Sequence, residues 1–151
     1  MRRGFDDDGV PVGSVTCTCG KIFLNPQSWS VLAGTGTAGQ NRQALDAAYE
    51  HLKTPIGLQL MAPGFAGWDQ EPGETPLGYL PGCGENGAIF CHANTWAVIA
   101  EALMGRGDRA WEYFRQLIPH NIIRKIGVET YRAEPYAWCS NIVGPDNPQF
   151  G

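Results

Sequence analysis

The sequence has no long apolar run, no basic cluster and no paired short cysteine spacing, and each absence removes a class of function. Its longest strongly apolar stretch, Trp96 to Met104, is broken by Glu101 and is about half the length of a bilayer span, so no membrane partner is expected. No Lys/Arg cluster exceeds the pairs Arg2-Arg3 and Arg124-Lys125. With 11 basic against 15 acidic residues the net charge is −4, which gives no face for a phosphate backbone and excludes nucleic acid as an expected partner. The five cysteines form no C-x-x-C pair and are odd in number. Free thiols in a reducing compartment, the cytoplasm, are therefore expected. Gly4-Phe5-Asp6-Asp7-Asp8 stands where an export signal would place its apolar core. Charged residues are only 17% of the chain and hydrophobic ones 43%, so a packed core is affordable and disorder of the bulk is excluded.

What is present is helical periodicity punctuated by glycine and proline. Asn25-Pro26 reads as a helix start, with Trp29, Leu32 and Ala33 at helical spacing up to Gly34. A second start near Thr37 leads a helix with Leu45, Ala48, Tyr49 and Leu52 on one face, ending before Thr54-Pro55. Between Pro55 and Cys91 lie five prolines and eight glycines, a loop too long and too broken for an ordinary element, and loops of that length are usually functional. Trp96, Ile99, Ala100 and Leu103 then resume the helical period to Gly105, and Asp108 is placed to cap a helix with Trp111, Phe114 and Ile118. A third pair is expected to open at Glu134-Pro135-Tyr136, with Trp138 and Ile142 inward. The expected class is all-α: a partial toroid of helical hairpins whose long Gly/Pro-rich loops form a site at one end. Residues 1–151 read as a fragment of one such domain, because the third hairpin lacks its second helix.

Three small motifs favour structural readings. Gly34-Thr35-Gly36-Thr37-Ala38-Gly39 matches the dinucleotide pattern, but a helix rather than a strand precedes it, so a link between helices is the better account. Asp6, Asp8 and Gly9 lack the remaining ligands of a calcium loop. Cys17 with Cys19, or Cys83 and Cys91 with His92, lack the spacings of a zinc site, and no metal or cofactor is expected.

The stretch Gly82 to Asn94 is richer. It runs from the long loop into a helix start near Asn94 and carries Glu85, Asn86 and His92 among glycines that let backbone approach a ligand. A neutral His just before a helix N-terminus can help bind an anion. A buried, hydrogen-bonded structural histidine has equal standing on chemistry alone, and Glu85 fits either a site or a solvated or capping role.

Glu85-Asn86-Gly87-Ala88-Ile89-Phe90-Cys91-His92, Trp96 to Ala102, Gly105 to Tyr113 and Glu134-Pro135-Tyr136 together resemble the disaccharide phosphorylases of glycoside hydrolase family 94. Gly20 to Asn25 with Gln27-Ser28-Trp29 is similar to that family too. The resemblance implies an (α/α)6 barrel catalytic domain of which this is the later part. It implies inverting phosphorolysis of a β-glucosidic bond, giving α-glucose 1-phosphate, with inorganic phosphate and a β-glucosidic disaccharide as partners and a homodimer at full length. It further implies His92 as a phosphate ligand and Glu85 at the acceptor subsite, with Ser140 standing where the family has a donor-sugar Gln. The family's catalytic Asp, in a Trp-Asn-Asp-like motif, has no counterpart here, since Trp68-Asp69-Gln70 is in the wrong place; no residue of this chain is assigned as catalytic. Gly84, where cellobiose-specific members carry Lys, turns the implied substrate toward cellobionic acid or a related β-glucoside. A six-hairpin hydrolase and a non-catalytic carbohydrate-binding helical domain are the competing readings.

Overall fold

Thr37 gives the clearest local cause of a helix in the molecule. Its hydroxyl accepts the Gln40 backbone N–H while the Gln40 side chain accepts the Thr37 backbone N–H, a reciprocal capping box. The computed structural model describes residues 4–66 and 78–151. Trp68-Asp69-Gln70 lies outside the described residues.

The described residues form two packed helix pairs, two shorter helices and eight strands of two residues each. Helices α1 (Leu24–Leu32) and α2 (Ala38–Leu52) pack across the Gly34 to Thr37 link; α3 (Cys91–Leu103) and α4 (Gly107–Leu117) pack across the Met104 to Arg106 turn. Both pairs were expected. The chain is helix-rich, as the all-α expectation required, yet its connections are tied by short ladders. The hairpin β1 (Gly4–Phe5) and β2 (Pro11–Val12) closes on the Asp6–Gly9 turn, where the Asp6 carboxylate accepts the Val10 N–H at 2.7 Å. Strand β3 (Ile22–Phe23) pairs with β6 (Met61–Ala62), β4 (Lys53–Thr54) with β5 (Gly57–Leu58), and β7 (Ile89–Phe90) with β8 (Asn141–Ile142), all antiparallel.

Packing explains which faces are buried. Ala93, Ala97 and Ala100 form the inward stripe of α3, and such small side chains let α1 lie close against it. Leu24, Ala48, Leu52, Leu58 and Tyr113 complete this core. A second core of Ile56, Ile89, Ile122, Tyr131 and Ile142 lies under the β7–β8 ladder.

Several expectations fail. Asn25 is not the cap of α1: the helix starts two residues earlier than expected, at Leu24, with Phe23 at the cap position and no side-chain cap. Asp108 sits in the first turn of α4 without capping it. Ile99, Leu103, Trp111 and Phe114, read as the patterned faces of α3 and α4, are exposed, while the alanines and Tyr113 turn inward. The third hairpin is absent. Residues 134–140 form a turn and extended chain; Trp138 is half exposed, and Ile142 is buried as a strand residue. Two helices that the pattern did not indicate, α5 (Pro119–Ile126) and α6 (Val128–Tyr131), precede that turn.

Candidate functional site

The Gly82 to Asn94 stretch is held in place by two buried amides. Asn86 is fully buried; its Oδ1 accepts the Phe65 N–H at 2.7 Å, and its Nδ2 donates to the carbonyls of Phe65 and Tyr79 at 2.9 Å. Asn94, also fully buried, accepts the Leu58 N–H at 2.7 Å and donates to the Leu58 and Phe90 carbonyls at 2.8 and 2.9 Å. These bonds satisfy both buried amides and tie the two ends of the stretch to the backbone of Phe65, Tyr79, Leu58 and Phe90. Gly87, at φ 100°, and Gly144 add a close approach: a Cβ on Gly144 would lie 2.1 Å from the Gly87 carbonyl oxygen, so this crossing admits no side chain.

Helix α3 begins at Cys91, three residues before the expected start, so His92 lies inside the first turn rather than ahead of it. The reason is tertiary: β7 pairs with β8, and the Ser140 carbonyl accepts the Cys91 N–H at 3.1 Å, which satisfies the first donor of a helix that has no side-chain cap. The N–H groups of His92 and Ala93 are left in the first turn, at the positive end of the helix dipole.

The His92 side chain is exposed and stands between two aromatic rings, Phe90 at 5.4 Å and Trp96 at 5.1 Å, both edge-on. Trp96 in turn meets Trp29 edge-on at 5.4 Å. Among the described residues no group hydrogen-bonds to either ring nitrogen, so the imidazole is oriented by aromatic packing alone. A buried histidine would have its nitrogens satisfied within the protein; the exposed His92 ring leaves them open to solvent or a ligand.

Ser140 is exposed and by strand register lies opposite Cys91, which brings it beside the His92 turn. Its hydroxyl accepts from Asn141 Nδ2 at 3.3 Å. Glu85 is exposed in the loop ahead of β7, with no ion pair or hydrogen bond to its carboxylate among the described residues. The ladder thus joins Ser140 to Cys91, the neighbour of His92, whereas Glu85 stands beyond the opposite end of β7, with no hydrogen bond to either among the described residues. Asn86, read from sequence as a polar group of the candidate site, is instead a buried structural amide, and Asn94, Phe90 and Trp96 were not singled out as site residues. The legible signal was an Asn on each side of an apolar stretch.

The electrostatics around the turn are simple. Burial, reinforced by nearby Cys139, pushes the Cys91 thiol up to about 11, so it stays neutral beside His92. Burial likewise pushes the Tyr131 hydroxyl up to about 12; it donates to the Ala137 carbonyl at 2.7 Å. Among the described residues no three His, Cys, Asp or Glu side chains gather as a metal site needs.

Residues 1–151 match the Glycosyl hydrolase 94 superfamily, catalytic domain. The chain belongs to this family. It is 41% identical over 149 residues to the N,N'-diacetylchitobiose phosphorylase of Vibrio furnissii, covering 99% of this chain and 18% of that protein. It is 40% identical over 118 residues to the 3-O-beta-D-glucopyranosyl-beta-D-glucuronide phosphorylase of Paenibacillus borealis, covering 78% and 15%. To the cellobionic acid phosphorylase of Neurospora crassa it is 34% identical over 120 residues, covering 79% and 15%. This family 94 chain therefore spans less than a fifth of the length of these curated relatives.

Proposed function

We propose that this family 94 chain is part of an inverting β-glucoside phosphorylase, contributing the phosphate ligand His92 and the sugar-facing residues Glu85 and Ser140. The observation that supports it most is the exposed His92 imidazole, whose nitrogens have no partner among the described residues, in the first turn of α3, which has no side-chain cap. An oxyanion there accepts hydrogen bonds from the imidazole and from backbone N–H groups at the positive end of the helix.

In the proposed reaction a phosphate oxygen attacks the anomeric carbon on the face opposite the glycosidic oxygen. The new C–O bond forms as the glycosidic bond breaks, and configuration inverts to α-glucose 1-phosphate. A carboxylic acid outside this chain protonates the departing oxygen. Phosphate is already a nucleophile, so no enzyme base has to activate it, in contrast to water in an inverting hydrolase. Glu85 accepts hydroxyl protons of the acceptor sugar, and Ser140 borders the donor sugar beside the phosphate. Two relatives, the glucopyranosyl-glucuronide and cellobionic acid phosphorylases, are named for substrates with an acid group, which supports cellobionic acid or a cellobiose-like β-glucoside as substrate.

The same reading makes these residues the later part of one (α/α)6 toroid, in a polypeptide that is a homodimer at full length. The five cysteines are free thiols in the structure, in keeping with a cytoplasmic setting. Among the described residues no helix is long and apolar enough to cross a membrane. The experiment is product analysis with the whole polypeptide that carries this chain, acting on cellobionic acid. α-Glucose 1-phosphate formed only in the presence of phosphate is the expected result. Free glucose released at the same rate without phosphate would make the protein a hydrolase. The 151-residue chain alone is expected to be inactive, because proton delivery to the leaving group is worth about a hundredfold or more.

A further inference from the structure

Helices α4 and α5 meet at a sharp junction, Ile118 ending one and capping the other, and leave between them a groove of about 520 Å³. None of its lining residues belongs to α3 or to the loop around Glu85. One wall is aromatic. It is formed by Trp111, 57% exposed, which stacks at 5.8 Å and 26° with Phe114, a residue that does not itself line the groove.

The rest of the groove is polar and incompletely paired. Gln116 is only 7% exposed; its Nε2 donates to the Thr54 carbonyl at 3.2 Å, and its Oε1 is buried with no partner among the described residues. Asn121 donates to the Arg115 carbonyl at 2.9 Å, tying the two helices together. The charges do not balance. Glu112 is committed to an ion pair with Lys53, which holds its carboxyl below the usual range, and Lys125 donates to the Pro55 carbonyl, a neutral partner. Arg115 and Arg124 have no ion pair among the described residues, leaving Asp108 as the one groove carboxylate not already paired. In a chain of net charge −4 this is a local positive excess.

We propose that this groove is a second binding site, for a saccharide that carries an anionic group. The C–H face of a pyranose matches the Trp111 plate, and a carboxylate or phosphate answers Arg115 and Arg124. A purely apolar partner would leave both guanidinium groups without a counter-charge, and a bare anion would leave the indole uncovered.

The test is calorimetric titration of the whole polypeptide, in a His92→Ala background that weakens the other candidate anion site, with glucuronate and with glucose 1-phosphate. Neutral glucose and inorganic phosphate are the controls. Both substituted residues are exposed, so Trp111→Ala and Arg124→Gln should leave the melting temperature unchanged. At least one anionic sugar is expected to bind more tightly than either control, and which one binds assigns the anionic group. Trp111→Ala should weaken it between about threefold and tenfold. Arg124→Gln should weaken it about tenfold or more, to the level of glucose. Binding that ignores both substitutions, or inorganic phosphate that binds as well as the sugar phosphate, would overturn the proposal. So would an indole at Trp111 shielded from a water-soluble quencher in the free protein, which would mean that polypeptide covers the groove.

Discussion

Replacing Asn94 with Ala is the sharpest test of how the candidate site is built. The side chain is fully buried and makes three hydrogen bonds, to the Leu58 N–H, the Leu58 carbonyl and the Phe90 carbonyl, at 2.7 to 2.9 Å. Alanine leaves the Leu58 N–H buried without an acceptor, which costs about 1–3 kcal/mol, and removes two donors worth about 0.5–1.5 kcal/mol each. The loss is therefore about 2–6 kcal/mol, a large part of the 5–15 kcal/mol typical of a folded domain. Thr95→Ala is the control, one residue on: it is exposed, and its hydroxyl donates only to the His92 carbonyl of the same helix. Its cost should stay within about 0.5 kcal/mol, as for most surface changes. Equilibrium urea unfolding measures both. If the two variants lost equal stability, the buried amide would not be what joins α3 to β5, and the account of why His92 is where it is would fail.

Two further predictions rest on single carboxylates. Glu101 is fully buried among Arg106, at 2.7 Å from its Nε, Arg109 and Tyr113, and burial raises it from the ordinary 4.5 to about 7. The folded state then holds a proton that the unfolded chain has released, so this group's contribution to stability falls as pH rises from about 4.5 through about 7. Glu101→Gln should flatten the pH dependence of the melting temperature over that interval, and an unchanged slope would show that the carboxyl titrates normally. Glu85→Ala, in the whole polypeptide, should raise the acceptor KM in the direction of disaccharide synthesis by about tenfold or more, the effect of losing a charged hydrogen-bond acceptor. Unaltered acceptor kinetics would remove Glu85 from the site.

The helix pairs were legible because their signals are local. The Thr37 box, the Gly34 and Gly105 stops and the helical spacing of α1 to α4 need no tertiary information. What escaped the pattern depends on partners far along the chain. The start of α3 is set by Ser140, 49 positions away, whose carbonyl accepts the Cys91 N–H. Strands of two residues carry no alternation to detect, so β7 and β8 left no trace, and the region around Trp138 read as helix. The faces of α3 and α4 were misjudged because large residues outweighed small ones in the pattern. Close helix packing favours Ala93, Ala97 and Ala100 at the contact and leaves Ile99, Leu103 and Trp111 outside. Within the candidate site, His92, Glu85 and Ser140 were legible as residues, but their arrangement about β7 was not, because the β7–β8 ladder and the Asn86 and Asn94 pins create it.

The central claim is that His92 binds the attacking phosphate, and a phosphate saturation curve for His92→Ala in the whole polypeptide tests it most directly. The ring is exposed and has no hydrogen-bond partner among the described residues, so its removal should leave the melting temperature within about a degree or two, as for an ordinary surface change. Phosphate KM should rise by about tenfold or more, corresponding to a charge-assisted bond of about 1.5–3 kcal/mol. An unchanged phosphate dependence together with a melting temperature lowered by several degrees would make His92 a structural residue and contradict the account.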